Sequence, residues 1–348
     1  MSTLSVKPSK PWKATRHQKQ ITGIIVLISL ALTFTLDFLT PLKGKLALAA
    51  LFVLSMLVIN FVHSYIDRGL AAAKDSIATT FAVAGMLIAL LPILSILETV
   101  FVRGRTALNF GIFFHDMKLN GPNDPLGKGG LLHAIVGTFI MVAIALVISL
   151  PIGILTAIYL TEIKGIFSRP IKFLVQAMSG VPSIVAGLFI LSAIIFPITH
   201  FASGLAGGLA LSILMIPTIA RTSEEVLLLI PGDLREAGVA LGGTQWRTIS
   251  LIVVPAAKSG LVTAVILGIA RVAGETAPLV LVSGGGDALN FNPFKAPMGS
   301  LPFYIWKCFT FGTAESIARA WAAIFVLLIT VFGLFTAARF IGGRGIKK

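Results

Sequence analysis

Apolar runs longer than any soluble core requires dominate this sequence. Segments such as 20–40, 76–101 and 131–160 each carry the roughly 20 mostly apolar residues that a helix needs to cross a bilayer. In hydrocarbon a backbone must satisfy its own hydrogen bonds, so runs of this length are expected as helices. Composition agrees. Of 348 residues, 56% are hydrophobic and only 12% are charged, too few ionic groups to coat a soluble globule of this size. The pattern predicts an all-α, polytopic membrane protein with about eight spanning helices, at 20–40, 45–66, 76–101, 131–160, 171–197, 205–221, 259–283 and 316–341. The long connections are 102–130, 222–258 and 284–315. The first and last of these hold Gly, Pro and Asn clusters (GPNDPLGKGG, and GGGD through NFNPFKAP) that mark turns. The basic start, KPSKPWKATRHQKQ, has the look of a signal peptide, and Ala47-Leu48-Ala49 offers a small-residue cleavage pattern. Apolar sequence runs straight on to Ile59, so a retained first helix is expected.

The net charge of +14 would suggest nucleic acid on a soluble protein. On a membrane protein it reads first as topology, because cytoplasmic loops collect Lys and Arg. With the N-terminus in the cytoplasm, the inner segments 7–19, 68–74, 164–172, 221–258 and 339–348 hold 18 cations. The outer segments 43–45, 103–128 and 295–319 hold 9. This two-to-one bias predicts a multi-pass plasma-membrane protein with both termini cytoplasmic, the lipid bilayer as its surroundings and no nucleic-acid partner. The single cysteine, Cys308, excludes an intrachain disulfide and is expected to pack. The five histidines never fall at helical metal spacing, so no metal site is expected. One cation, Arg271, belongs to neither side.

Residues 222–258 are the least membrane-like cytoplasmic stretch, and they are locally well specified. Pro231-Gly232 makes a turn. Asp233, with Glu236 three residues later, has the spacing of a reciprocal helix-start box. The helix should stop at Gly242-Gly243 in left-handed geometry. Thr244 can cap a second helix, TQWRTISLIVV, ending before Pro255. Two short helices joined by a glycine hinge suit docking on a partner, and they equally suit an ordinary interfacial loop.

Arg271 lies about 12 residues into a helix starting near Ser259, roughly 18 Å deep, near the middle of a hydrocarbon core about 30 Å thick. A charge there must face a partner or a water-filled path. Glu275, four residues on, shares its face and can neutralise it. Either the two form a packed ion pair that fixes helix rotation, or they mark a transport route. The guanidinium offers a planar fork of donors that matches tetrahedral oxyanions two oxygens at a time. Glu275 would hold Arg271 between turnovers, and Thr276 adds a hydroxyl.

Two sets of residues carry a family resemblance. Glu236-Ala237-Gly238, then Gly242, then Ile252-Val253-Val254-Pro255 closely resembles the EAA motif of ABC importer permeases, with Gly238 and Val254 standing where that motif has Ala and Leu. Gly268 through Leu279 (GIARVAGETAPL) resembles the signature of phosphate-specific (Pst-type) permeases of the A type. Ser179 through Phe189 (SGVPSIVAGLF) and Pro217 through Glu225 (PTIARTSEE) are similar to further stretches of the same family. The likeness covers roughly residues 75–341 and leaves two helices as an N-terminal extension. It implies a type I ABC importer permease core at 75–348, preceded by a basic terminus and two extra helices at 1–74. It also implies a cytoplasmic coupling contact at Glu236, Ala237, Gly242 and Pro255, and a substrate path at Arg271, Glu275 and Thr276. The implied function is import of inorganic phosphate, with no catalysis and no cofactor on this chain, ATP and Mg²⁺ being held by partner subunits. The implied partners are a sister permease of the PstC type, two ATP-binding subunits of the PstB type and an external phosphate-binding protein of the PstS type. Importers of sulfate, molybdate or phosphonate are the nearest alternatives. A secondary transporter would need no docking loop, and an enzyme acting on lipid phosphate would need a catalytic cluster that the sequence lacks. Gly121 through Gly129 (GPNDPLGKG) fails as a phosphate-binding P-loop, because its glycine spacing is one residue too long and Gly129 replaces the Ser or Thr that would hold Mg²⁺.

Overall fold

The computed structural model describes residues 16–40, 44–121 and 123–342. Several cations of the topology count, Lys7, Lys10, Lys13, Lys43, Arg344, Lys347 and Lys348, lie outside the described residues, as does Pro122 of the glycine-rich loop. Among the described residues every regular element is a helix. Seven helices are long and apolar enough to cross a membrane, and one further pair, bent by 105°, brings the number to eight if the pair is a single span. The chain divides into two compact units at Leu97/Glu98.

The first unit holds α1 (Arg16–Leu39), α2 (Lys45–Arg68) and most of α3 (Leu70–Gly104). Small polar side chains join them, as expected where lipid supplies no hydrophobic drive for helix association. Thr33 Oγ1 lies 3.4 Å from Ser55 Oγ between α1 and α2. Between α2 and α3, Asn60 Nδ2 donates to Thr80 Oγ1 at 3.2 Å. A single residue, Gly69 with φ +82°, separates α2 from α3. The Asn60–Thr80 bond shows that the two helices fold back beside each other about this glycine.

The second unit is built around α7 (Gly204–Leu228), whose most apolar stretch is 67% buried. Its partners are α4 (Leu132–Ile158), α5 (Ser168–Ser179), α6 (Ser183–Ile190) and α10 (Val254–Ala273), with α13 (Ala314–Gly342) on α10. Glycine sets the closest approaches. A Cβ on Gly208 would lie 2.6 Å from Ile144, one on Gly207 2.4 Å from Met141 Sδ, and one on Gly268 2.8 Å from Ile219. Gly204, which shares small-xxx-small spacing with Gly208, instead meets Met298 and Pro293 of a loop. Ser149 Oγ adds a 3.1 Å bond from α4 to the Ser212 carbonyl of α7.

The expected helix at 171–197 is broken. Residues 180–182 separate α5 from α6, and Pro182 explains the break: its ring disfavours helical geometry at Val181 and removes one backbone donor. The broken pair still crosses once. Lys172 of α5 bonds Glu224 near the end of α7 at 2.8 Å, whereas the chain beyond α6 continues in π winding over Leu191–Thr199 and reaches Ser203, which caps the start of α7 and donates from its backbone to the Val282 carbonyl. Eight spanning segments therefore stand, one of them discontinuous.

The expected helix at 259–283 also differs. It begins earlier, as α10 at Val254, and stops at Ala273. A short α11 (Ala277–Val282) follows after Gly274-Glu275-Thr276. Pro278 enforces the interruption, because it cannot donate to the carbonyl of Gly274. At its other end the helix is continuous through Pro255. The backbone widens to π winding at Ile249–Val253 and runs into α10, so Pro255 does not end the preceding helix. A π turn absorbs the disruption that a proline causes in the regular ladder.

At the far end, α12 (Leu301–Phe311) and the 102–130 connection close the unit. Arg319, 4% exposed, donates to the carbonyls of Asp124 and Pro125 at 2.9 Å and of Lys128 at 3.1 Å, which braces the glycine-rich loop. The backbone N–H of Leu289 donates to Asp116 Oδ2 at 2.9 Å, the chief reason that carboxyl titrates below its ordinary value. Cys308 is buried beside Tyr304, and burial pushes its thiol up to about 11.

Two measurements test this packing. Gly208→Val overfills the α4–α7 contact and should lower stability by about 1–3 kcal/mol. A detergent melting curve would show this as a lower midpoint, whereas Gly333→Ala, at a mid-helix position with nothing within 4 Å, should hold the midpoint or raise it slightly. Maleimide labelling of Cys308 at pH 8 should be at least about a hundredfold slower in the folded protein than in detergent-denatured chain, since the thiolate is the reactive form.

Candidate functional site

Two clusters of the second unit carry the residues that the sequence singles out. The first sits at the α10 break. Gly260 of α10 packs against Val226, and Gly268 against Met215 and Ile219, so α10 climbs along α7 from its end to its middle. Arg271 stands three residues beyond Gly268, at about half the length of α7. Its side chain is 47% exposed and its guanidinium Nη1 donates to Glu275 Oε1. Glu275 is 13% exposed and lies in the three-residue break, with its backbone N–H returning to the Val272 carbonyl at 3.1 Å. Thr276, half-buried, opens α11. The ion pair expected from the four-residue spacing is thus formed. Its exposed cationic half has a physical implication: a guanidinium at this depth cannot face lipid at low cost, so its face requires water or protein.

Two further stretches meet at this break. Gly187 of α6 lies directly under α11, where a Cβ would come within 2.8 Å of Pro278 Cα. The Ser179–Phe189 and Gly268–Leu279 segments, far apart in sequence, are therefore in contact. Any side chain at position 187 would push α11 away.

The second cluster is the loop between α7 and α10. Here α8 (Gly232–Ala240) and α9 (Gln245–Thr248) form the two expected short helices. Glu236 and Ala237 are exposed on α8. Gly242 follows its end with φ +78°, the left-handed turn that the sequence required there. The Thr244 side chain accepts from the Arg247 N–H at 3.3 Å, as expected of a cap. The box at Asp233 and Glu236 does not form. The helix starts two residues earlier, at Gly232, with Pro231 before it and no side-chain cap, so Asp233 lies inside the first turn. Pro255 is exposed where the loop passes into α10. Gly238, where the motif has Ala, is buried, and a Cβ there would meet Thr248 at 2.7 Å and Ile252 at 2.8 Å. The departure from the motif is a packing requirement of α8 on the π turn.

Sequence reasoning missed the strongest polar contact of this loop. Arg235 Nε donates to Glu162 Oε2 at 2.8 Å and its Nη2 to Oε1 at 2.7 Å, a two-bond fork. The same guanidinium donates to the carbonyls of Leu227 and Ile230 at 2.9 and 2.6 Å. Its bond to Glu162 raises the Arg235 pKa above the usual arginine value. Glu162 belongs to a π-wound turn, Tyr159–Ile163, that closes α4. The two residues are 73 positions apart, and the charge of each alone had marked only topology. Arg271 and the Glu236 surface lie on one continuous path: from Pro255 to Arg271 α10 runs unbroken, about 24 Å of helix.

Comparison with known proteins places the chain. The model of the family described as binding-protein-dependent transport system inner membrane component matches residues 149–344. The phosphate transport system permease protein PstA 1 of Mycobacterium tuberculosis is 39% identical over 276 residues, covering 78% of this chain and 89% of that protein. PstA of Haemophilus influenzae is 39% identical over 245 residues, covering 69% and 84%. The probable PstA of Methanocaldococcus jannaschii is 33% identical over 269 residues, covering 77% and 93%. Among solved structures, an inward-facing MetNI methionine ABC transporter aligns over 63% of this chain and 95% of that one, at 22% identity and a TM-score of 0.48. The chain belongs to the binding-protein-dependent transport system inner membrane components, as a PstA-type permease.

Proposed function

We propose that this chain forms half of the translocation pathway of an ATP-driven importer of inorganic phosphate. Its relatives are named for phosphate transport, and the observation that carries the reading to chemistry is Arg271, a half-exposed guanidinium at mid-helix depth beside a break in the backbone. A planar cationic fork binds a tetrahedral oxyanion through paired hydrogen bonds, and its charge does not depend on pH. Glu275 is the competing anion: it occupies Arg271 when the path is empty and limits how tightly substrate is held. Thr276 supplies a neutral hydroxyl at the same break.

In this reading residues 75–348 are the permease domain and 1–74 an extension. The 222–258 loop faces the cytoplasm and both termini lie there, in agreement with the two-to-one cation bias. Glu236, Ala237, Gly242 and Pro255 contact an ATP-binding subunit. That subunit, of the PstB type and present twice, holds ATP and Mg²⁺, and this chain hydrolyses nothing itself. A PstC-type sister permease completes the path, covering the exposed face of Arg271, and a PstS-type binding protein delivers phosphate from outside. Closure of the ATP-binding subunits moves the loop, and the unbroken α10 carries that movement to Arg271.

Arg271→Gln should cut phosphate uptake in cells about tenfold or more, the scale of one charged hydrogen bond, with assembly of the complex intact by co-purification. Normal uptake by an assembled variant would leave the ion pair structural and remove Arg271 from the path. Parallel uptake of sulfate and molybdate separates phosphate from other oxyanions. Glu236→Lys should abolish stimulation of ATP hydrolysis by the loaded binding protein, or release the ATP-binding subunits altogether. Unchanged stimulation and co-purification would refute the coupling role of the loop.

A further inference from the structure

The fork between Arg235 and Glu162 connects two parts of the molecule that sequence separates. Arg235 projects from α8, the helix whose exposed face carries Glu236. Glu162 closes α4 and is only 5% exposed. The pair is not an ornament of the surface: its arginine is 27% exposed and also satisfies carbonyls at the end of α7, at Leu227 and Ile230. Gln245, which opens α9, donates to the Glu162 carbonyl at 2.8 Å, so both short helices are tied to the same turn of α4. Apolar packing seals the joint, with Ala157 and Ile158 of α4 against Leu227, Ile249, Val253 and Ala257.

The α4 helix then runs the length of the unit. It contacts α7 at Gly153 and Gly208, and at its start the Thr138 hydroxyl accepts from the backbone N–H of Leu301 at 2.9 Å, in the segment that closes the far end. A displacement of α8 therefore has two routes out of the loop, through Pro255 into α10 and through Arg235 into α4.

We propose that the Arg235–Glu162 pair is a positioning strut through which the loop moves α4 together with α10, so that the far end of the unit moves with the substrate site. The pair stays closed throughout the cycle, and neither residue touches substrate. A bidentate guanidinium–carboxylate contact resists both sliding and rotation, which a single point charge does not. Without it, α8 remains docked on the π turn through Gly238 and still drives α10, but α4 lags behind. The expected symptom is ATP hydrolysis without matching transport.

This inference rests on the proposed importer function, and the test separates the two. The complete importer, with its ATP-binding subunits, sister permease and binding protein, is reconstituted in liposomes, and uptake of radiolabelled phosphate and ATP hydrolysis are measured together. Arg235→Gln and Glu162→Gln should assemble and retain ATP hydrolysis, with transport per ATP reduced about tenfold, within the range of ordinary coupling energies. Arg235→Lys keeps the charge but not the two-bond fork, so it should recover only a small part of the ratio. An unchanged ratio in the assembled Gln variants would overturn the strut. So would equal losses of transport and hydrolysis in both the Gln and Lys variants, which mark a folding role only. Failure of the parent complex to move phosphate would instead refute the importer reading. The ratio would then be read with whichever oxyanion the parent complex transports.

Discussion

Close packing of α7 against α4 and α10 is the constraint on which the rest of the second unit depends. Lipid is as apolar as leucine, so burial of apolar surface gives these helices no reason to associate. They hold together because glycines at 207, 208, 260 and 268 let backbones and side chains approach to ordinary contact distance. That register fixes the height of Arg271 beside the middle of α7. It also fixes the meeting of Glu162 with Arg235 at the end of α7, and leaves the 222–258 loop no freedom to drift. The breaks beside Pro182 and Pro278 are tolerated because they lie against this packed frame, which can accommodate the released backbone groups.

Long-range charge and local backbone chemistry were unequally legible in the sequence. Long apolar spans stand out without any knowledge of partners: six of the eight expected segments are single helices, and the other two, 171–197 and 259–283, are interrupted. The ion pair of Arg271 with Glu275 was readable because helical spacing alone places the two side chains together. The strut was not, because Glu162 and Arg235 meet only through the fold. Pro92, Pro151 and Pro217 lie inside helices as expected, whereas three other prolines depart from expectation in both directions. Pro255 was expected to stop a helix and instead follows a π turn, while Pro182 and Pro278 were read as lying within continuous spans and interrupt them. The difference lies in the neighbours: Gly180 precedes Pro182 and Gly274 precedes Pro278 by a few residues, whereas Pro255 follows a run of β-branched and apolar residues that stay helical when buried.

The departure at Gly238 teaches a similar lesson. Read from sequence, glycine in place of alanine weakens a motif. In the fold it is the residue that allows α8 to lie on Thr248 and Ile252, and so holds the Glu236 face at a defined angle. The capping box at Asp233 failed for a related reason. The helix already starts at Gly232 behind Pro231, so Asp233 falls inside the first turn and cannot occupy the cap position.

The hairpin of α2 and α3 has a consequence for how the two helices are anchored. A joint of one glycine leaves no loop to lie at the membrane surface, so the polar residues on either side, Asp67, Arg68, Lys74 and Asp75, must supply that anchor from within the helices themselves. A side chain at Gly69 would meet no neighbour but would sit in a backbone region that L residues seldom adopt, and the strain would fall on the joint between two spans.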